Sequence, residues 1–300
     1  MPLTASVAVG LGFALDVALA ELPTAVHPVA WFGRLVGPLD REWRRPDLVG
    51  VLAALCLPVL AAVVTGGVVW TATQVGPWAG AVAAGLVLYV TTSLRMLVSE
   101  ALGVVGRSER DVEAARESLP ALAGRDASAL SPGELRSAAV ESAAENLADG
   151  LVAPLLAFAV LAPVSLSLAA AGATWVKAVN TLDSMLGYRS KPVGRASARL
   201  DDLVMWIPAR LSAALLAQTA RRPAAVLRAR YWLDEVPSPN SGWPMGTVAA
   251  ALDVRLEKPG VYVLNAGAPF PDVRTARRGV QYVAAAGVVA VVLAGVVAWF

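Results

Sequence analysis

The sequence predicts an all-α, polytopic integral membrane protein with broken or re-entrant helices and a cytoplasmic region of helices and loops. Three observations predict it. Of 300 residues, 57% are hydrophobic and only 16% charged, against about a quarter charged in ordinary soluble domains. The mean hydropathy is +0.60. Several uncharged windows reach the length that crosses a bilayer, about 20 residues, and Lys and Arg gather in the segments between them, the pattern that marks cytoplasmic loops.

The elements follow in chain order. Residues 1–20 are apolar except for Asp16. No Lys or Arg precedes that run, so it is expected to be retained as a helix and not cleaved as a signal peptide. Windows 50–70 and 77–94 are the next spans. Arg34, Arg41, Arg44 and Arg45 place the first connection inside, and the uncharged TATQVG places the second outside. These helices make up about 1–98. Residues 99–149 carry charges at helical spacing and read as a cytoplasmic helical segment, with SPGE at 131–134 offering a capping box of Ser131 and Glu134. The uncharged run 150–176, crossing once, would carry Lys177, Arg189, Lys191, Arg195 and Arg199 outside. A re-entrant pair broken near Pro154 or Pro163 keeps them inside. Residues 203–219, with Pro208 and Arg210, suit an interfacial helix, so 150–220 forms one re-entrant and interfacial block. Residues 221–278 form a cytoplasmic loop-rich cap, and 279–300 a last span, the whole being one membrane-embedded domain.

Composition excludes several functions. One cysteine, Cys56, and one histidine, His27, rule out a disulfide framework and a multi-His site within one chain. A net charge of +2 gives no nucleic-acid footprint, and neither GxxxxGK[ST], GxGxxG nor HExxH occurs.

The polar residues beside the apolar runs are the candidates, since charge near membrane depth is costly. Glu141, Glu145 and Asp149 are spaced by four and share one helix face, with Asn146 a turn from Asp149. Three like charges need a cation: either a nearby Arg125 or Arg136, or Mg²⁺, which takes carboxylates together with substrate phosphates. Asn180 and Asp183 share a face beyond the next apolar run, as do Arg199 and Asp202, with Arg210 two turns on. Arg195 and Asp201 read equally well as helix-stabilising ion pairs. So do Asp16 and Glu21 as charges that end a helix at the interface. PSPNSGWPMG, with Asn240, is a turn-dense loop or a lid. The polar clusters lie at the cytoplasmic ends of apolar runs, and convergence on one site is the expectation.

HPVAWFGRL, ESAAENLADG, NTLDSMLGYRS, ARLDDLVMWIPARL and SPNSGWPMG, in this order, resemble the CobD/CbiB family of adenosylcobinamide-phosphate synthases. The likeness runs from about residue 12 to 260. It departs at Ala20, Glu21 and Leu22, where the family commonly has Gly-Asp-Pro, and at Met205, where it often has Asn. The resemblance implies a multi-pass enzyme of the cell membrane with its site on the cytoplasmic side. It implies an ATP-dependent, ADP-forming amide ligation of adenosylcobyric acid with (R)-1-aminopropan-2-ol or its O-phosphate, through an acyl phosphate. On that reading Glu141, Glu145 and Asp202 are catalytic, and Mg²⁺ is held among Glu141, Glu145, Asp149, Asp183 and Asp202. Arg125, Asn146, Asn180, Arg199, Arg210, His27 and Asn240 bind ATP or substrate. Partners are the corrinoid, the amine, membrane lipid and, as an oligomer or assembly, itself or other late-pathway enzymes. A transporter and a non-catalytic membrane scaffold are the competing classes.

Overall fold

The computed structural model describes residues 2–188 and 190–300; Met1 and Arg189, one of the basic residues invoked for topology, lie outside them. Helix α1 (Pro2–Leu19) is apolar throughout and ends where Ala20 turns left-handed, φ 58°. Helix α2 (Pro28–Val36) starts with Pro28 in its first turn and with His27 as cap, the imidazole Nδ1 accepting the Val29 N–H at 3.2 Å. Helix α3 (Pro46–Val75) has 30 residues, roughly 45 Å at 1.5 Å per residue. Gly76 and Pro77 separate it from α4 (Pro77–Thr91), which leads through a short break into α5 (Arg95–Arg110). Helix α6 (Val112–Ser118) is capped by Asp111. Helix α7 (Pro132–Leu147) opens with the expected box: the Ser131 hydroxyl accepts the Glu134 N–H, and the Glu134 carboxylate accepts the Ser131 N–H at 2.8 Å.

A π-helical turn, Ala148–Val152, carries α7 into α8 (Ala153–Leu161). Pro154 does not break the helix, because in a first turn its missing N–H has no intrahelical partner to lose. The break falls at 162–165, around Pro163, and α9 (Leu166–Leu186) returns against α8, capped by Ser165. Then come α10 (Arg195–Val204), α11 (Trp206–Thr219), α12 (Ala224–Ala229) and α13 (Gly242–Leu252). A two-stranded antiparallel hairpin follows, β1 (Leu256–Lys258) with β2 (Tyr262–Leu264), in register Leu256 to Leu264. Helix α14 (Val273–Val297) ends the fold.

Among the described residues, four helices are long and apolar enough to span a membrane: Pro46–Val75, Pro77–Arg110, Pro132–Leu161 and Val273–Val297; α1 is shorter. Three of these contain the windows read from sequence. The fourth differs: the charged segment before 149 and the first part of the apolar run after it form one long helix, since the π turn joins them.

The chain divides into two compact units. The first comprises 1–93, 149–205 and 290–300. In it α1 lies against α4 through small residues: a Cβ on Gly85 would sit 3.0 Å from the Ala8 carbonyl, and one on Gly12 2.9 Å from Leu88 Cβ. Such close backbone approach is how helices associate where lipid offers no hydrophobic drive. Helix α9 packs on α3 and α8, around a core of Val36, Ala54, Leu182, Leu186 and Val193. The second unit comprises 94–148 and 206–289. There α7 is buried along most of its length, against α5, α13 and β1.

Candidate functional site

In the first unit, four carboxylates come together. Asp149 stands in the π turn, Asp183 near the end of α9, and Asp201 and Asp202 in α10. Asp201 accepts a hydrogen bond from Asn180 Nδ2 at 3.4 Å. Burial pushes the Asp201 carboxyl well above the usual range, and the charges of Asp149, Asp183 and Asp202 push the same way, against the Asn180 bond. Burial also raises Asp202. One oxygen of Asp183, Oδ1, is buried with no hydrogen-bond partner. It sits over the bare backbone of Gly187, where a Cβ would lie 1.8 Å away. The end of α9 is thus shaped around that carboxylate.

These acids suit a cation. Among the described residues no three acidic, histidine or cysteine side chains stand close enough to cage a metal alone. Mg²⁺, however, is usually held by one or two carboxylates plus substrate phosphates. An orphaned Asp183 oxygen beside mutually repelling neighbours fits that donor set.

In the second unit, Glu141 is 0% exposed and fully engaged by protein donors. Its Oε2 accepts from Arg125 Nη2 at 3.1 Å and from the Tyr262 hydroxyl at 2.7 Å; its Oε1 accepts from the Ser137 hydroxyl at 2.6 Å. Ser137 Oγ accepts the Glu257 N–H at 2.7 Å, closing a link from α7 to the hairpin. The charge of Glu141 adds to burial in raising the Tyr262 phenol far above its ordinary value, so it stays a donor. Of the two compensations open to the acidic stripe, the arginine one holds at Glu141: its partner is Arg125, while Arg136 bonds Pro271 O and Ser108. Glu145 is close enough to be felt by Tyr262, and Asn146 donates to Ser142 O.

Also in this unit, Arg210 and Asn240 meet as a pair. Arg210 Nη1 donates to Asn240 Oδ1 at 2.9 Å, and its guanidinium stacks over Trp206 and Trp243, with ring centroids at 4.4 and 5.0 Å. A planar cation clamped between rings keeps its remaining donors pre-oriented for an anion. Arg199 is exposed on α10 in the first unit.

The structure therefore brings together Asn180, Asp149, Asp183 and Asp202 in one unit, and Arg125 with Glu141, and Arg210 with Asn240, in the other. Three residues of these clusters escape sequence reasoning. Asp201 is passed over because helical spacing paired Asp202 with Arg199. Tyr262 reaches Glu141 across 121 positions, from a strand of three residues. Lys177, which ends the uncharged run, lies near Glu21 and Asp149. Asp16 is 2% exposed, so it is buried within the first unit and does not snorkel to the interface.

Fold and side chains define a class: an all-α, multi-pass membrane protein that keeps carboxylates among its helices. Within it, the family model described as CobD/Cbib protein matches residues 9–295, and the chain belongs to that family. It is 36% identical over 298 residues to the "Probable cobalamin biosynthesis protein CobD" of Methanothrix thermoacetophila, covering 94% of this chain and 93% of the relative. It is 36% identical to the "Cobalamin biosynthesis protein CobD" of Rhodobacter capsulatus over 91% of this chain and 90% of the relative. The protein of that name from Klebsiella pneumoniae is also 36% identical, over 83% and 81%. No solved structure matches the chain.

Proposed function

We propose that the protein acts in cobalamin biosynthesis as an ATP-dependent ligase. It joins the free carboxyl of adenosylcobyric acid to the amine of (R)-1-aminopropan-2-ol or its O-phosphate. The family supports the pathway. The observation that carries the chemistry is the acid cluster of Asp149, Asp183, Asp201 and Asp202, with its orphaned Asp183 oxygen.

A carboxylate is a poor electrophile and needs activation. A carboxylate oxygen of the corrinoid attacks the γ-phosphorus of ATP, the bond to ADP breaks, and an acyl phosphate forms. The amine nitrogen then attacks the acyl carbon, phosphate leaves, and the nitrogen gives up a proton. Phosphoryl transfer is mostly positioning and charge neutralisation. Asp183 and Asp202, with Asp149, would hold Mg²⁺, which supplies the positive charge that the phosphate oxygens need. Asn180 holds Asp201 by its hydrogen bond. Asp201, with its raised pKa, is matched to accepting the proton from the amine. Arg210, steadied by Asn240 and two tryptophans, offers its fork to an anionic substrate group. Glu141 and Arg125 hold the frame from which Glu145 projects. The acid cluster lies on the cytoplasmic side, as the basic residues Arg41, Arg44, Arg45 and Lys191 of the same unit suggest.

The test is purified protein in detergent with adenosylcobyric acid, ATP, Mg²⁺ and either amine, following amide by mass spectrometry and ADP release. The expected result is product from the wild type and a loss of at least about 100-fold in Asp183→Asn and Asp202→Asn, the scale of removing charge stabilisation from a transition state. Folded wild type that forms no product with either amine overturns the reading.

A further inference from the structure

The first unit contains a cavity of about 250 Å³ that the ligase reading leaves without a role. Its polar lining is Glu21, His27, Thr91, Thr92, Ser93 and Lys177. Each group has a defined hydrogen-bonding state. The Thr91 and Thr92 hydroxyls donate to the Val87 and Leu88 carbonyls, at 2.8 and 2.6 Å, so only their oxygens remain, as acceptors. Ser93 spends its N–H on Gly150 O, and its hydroxyl is buried with no partner. His27 Nδ1 accepts the Val29 N–H, so the neutral ring carries its proton on Nε2. Burial lowers its pKa, with Glu21 opposing and Lys177 assisting, which keeps the ring neutral at pH 7. Lys177 is partly buried, and among the described residues its ammonium has neither an ion pair nor a hydrogen bond; Glu21 and Asp149 act on it only at a distance.

A partly buried ammonium without a partner is costly, as is a buried hydroxyl without one. Lys177 and Ser93 face the same space, and an anion there would satisfy both. Glu21 and the threonine oxygens on the lining instead accept, and suit a cationic group. The volume bounds the ligand: with about 30 Å³ per water, it amounts to roughly eight waters, below the usual size for drug-sized ligands. A corrin ring or a nucleotide is too large; a small aliphatic zwitterion is not.

We propose that this cavity binds the amine donor, as a small amine bearing a phosphate monoester. The phosphate takes Lys177, the Ser93 hydroxyl and His27 Nε2–H, and the ammonium faces Glu21. This rests on the ligase reading and adds to it a substrate subsite and a preference for the phosphorylated donor.

Titration calorimetry on the full-length protein in detergent, without ATP or corrinoid, tests the site apart from turnover. The probes are (R)-1-aminopropan-2-ol O-phosphate, the free amino alcohol and inorganic phosphate. The expected order is the phosphorylated amine tightest, with Lys177→Met weakening it tenfold or more and Ser93→Ala several-fold. Glu21→Gln should weaken the phosphorylated amine while leaving inorganic phosphate unchanged, a split that misfolding would not produce. Lys177→Met removes an unpartnered charge, so its melting temperature should match or exceed the wild type. The proposal is overturned if folded wild type binds the free amine as tightly as its phosphate, or if Lys177→Met binds like the wild type. Amide formation with an unchanged KM for the amine in Lys177→Met sinks the subsite and leaves the ligase standing; binding as described without amide formation does the reverse.

Discussion

Glu141 and Asp201 show how differently two buried carboxylates can be used. Glu141 has a guanidinium and two hydroxyl donors, and removing one side of such a buried pair typically costs about 3–5 kcal/mol. Glu141→Ala should lower thermal stability accordingly, while Glu141→Leu combined with Arg125→Met should recover much of the loss. A Glu141→Ala protein as stable as the wild type but inactive would show instead that the carboxylate serves chemistry. Asp201 sits among acids, and its folded pKa lies above the unfolded value of about 4. Its contribution to stability is therefore complete below that value and lost as pH rises toward the folded pKa. Without Mg²⁺, melting temperature should fall with pH through that window, and Asp201→Asn should flatten the slope; an unchanged slope would clear Asp201 of the role. Residue identities in the acid cluster were largely legible, since Asp149, Asp183 and Asp202 stand out beside apolar runs. Their neighbours were less so, because nothing local marks a tyrosine that binds a carboxylate 121 positions away.

Elements were legible where composition is one-sided. The long apolar helices, the capping box at Ser131 and the break near Pro163 all follow from local rules. The π turn does not, and it has consequences: spacing of four shares a face only on a regular α-helix, while i to i+5 bonding adds a residue to the turn. Glu141 and Asp149 thus need not share a face, although their spacing implies it. The hairpin at 256–264 was lost in a Pro- and Gly-rich stretch, its strands being three residues each. The join between α9 and α10 offers the sharpest test at this scale. Gly187→Ala must displace the Asp183 carboxylate, and turnover should drop by an order of magnitude or more with little change in overall stability. Wild-type turnover in that variant would remove Asp183 Oδ1 from the mechanism.

At the scale of the molecule, burial separates the helices that face lipid from those that do not. Only 22% of the apolar window of α3 is buried, against 61% for Pro132–Leu161. Along α3 the exposed side chains are Leu52, Leu55, Val59, Leu60, Val63 and Val64, a surface that only hydrocarbon would cover. The lone cysteine, Cys56, is exposed on this helix. In membranes a lipid-soluble thiol reagent should modify it and a charged one should not; rapid reaction with the charged reagent would place that face in water.

Asp183 Oδ1 and the vacant side-chain position of Gly187 occupy the same few ångströms. Each position is consequently the genetic context of the other. In a library of variants, a methyl at 187 should be poorly tolerated beside aspartate yet harmless where 183 has already been cut back to alanine. That pattern of suppression could be read from folding alone, in cells that never make the product.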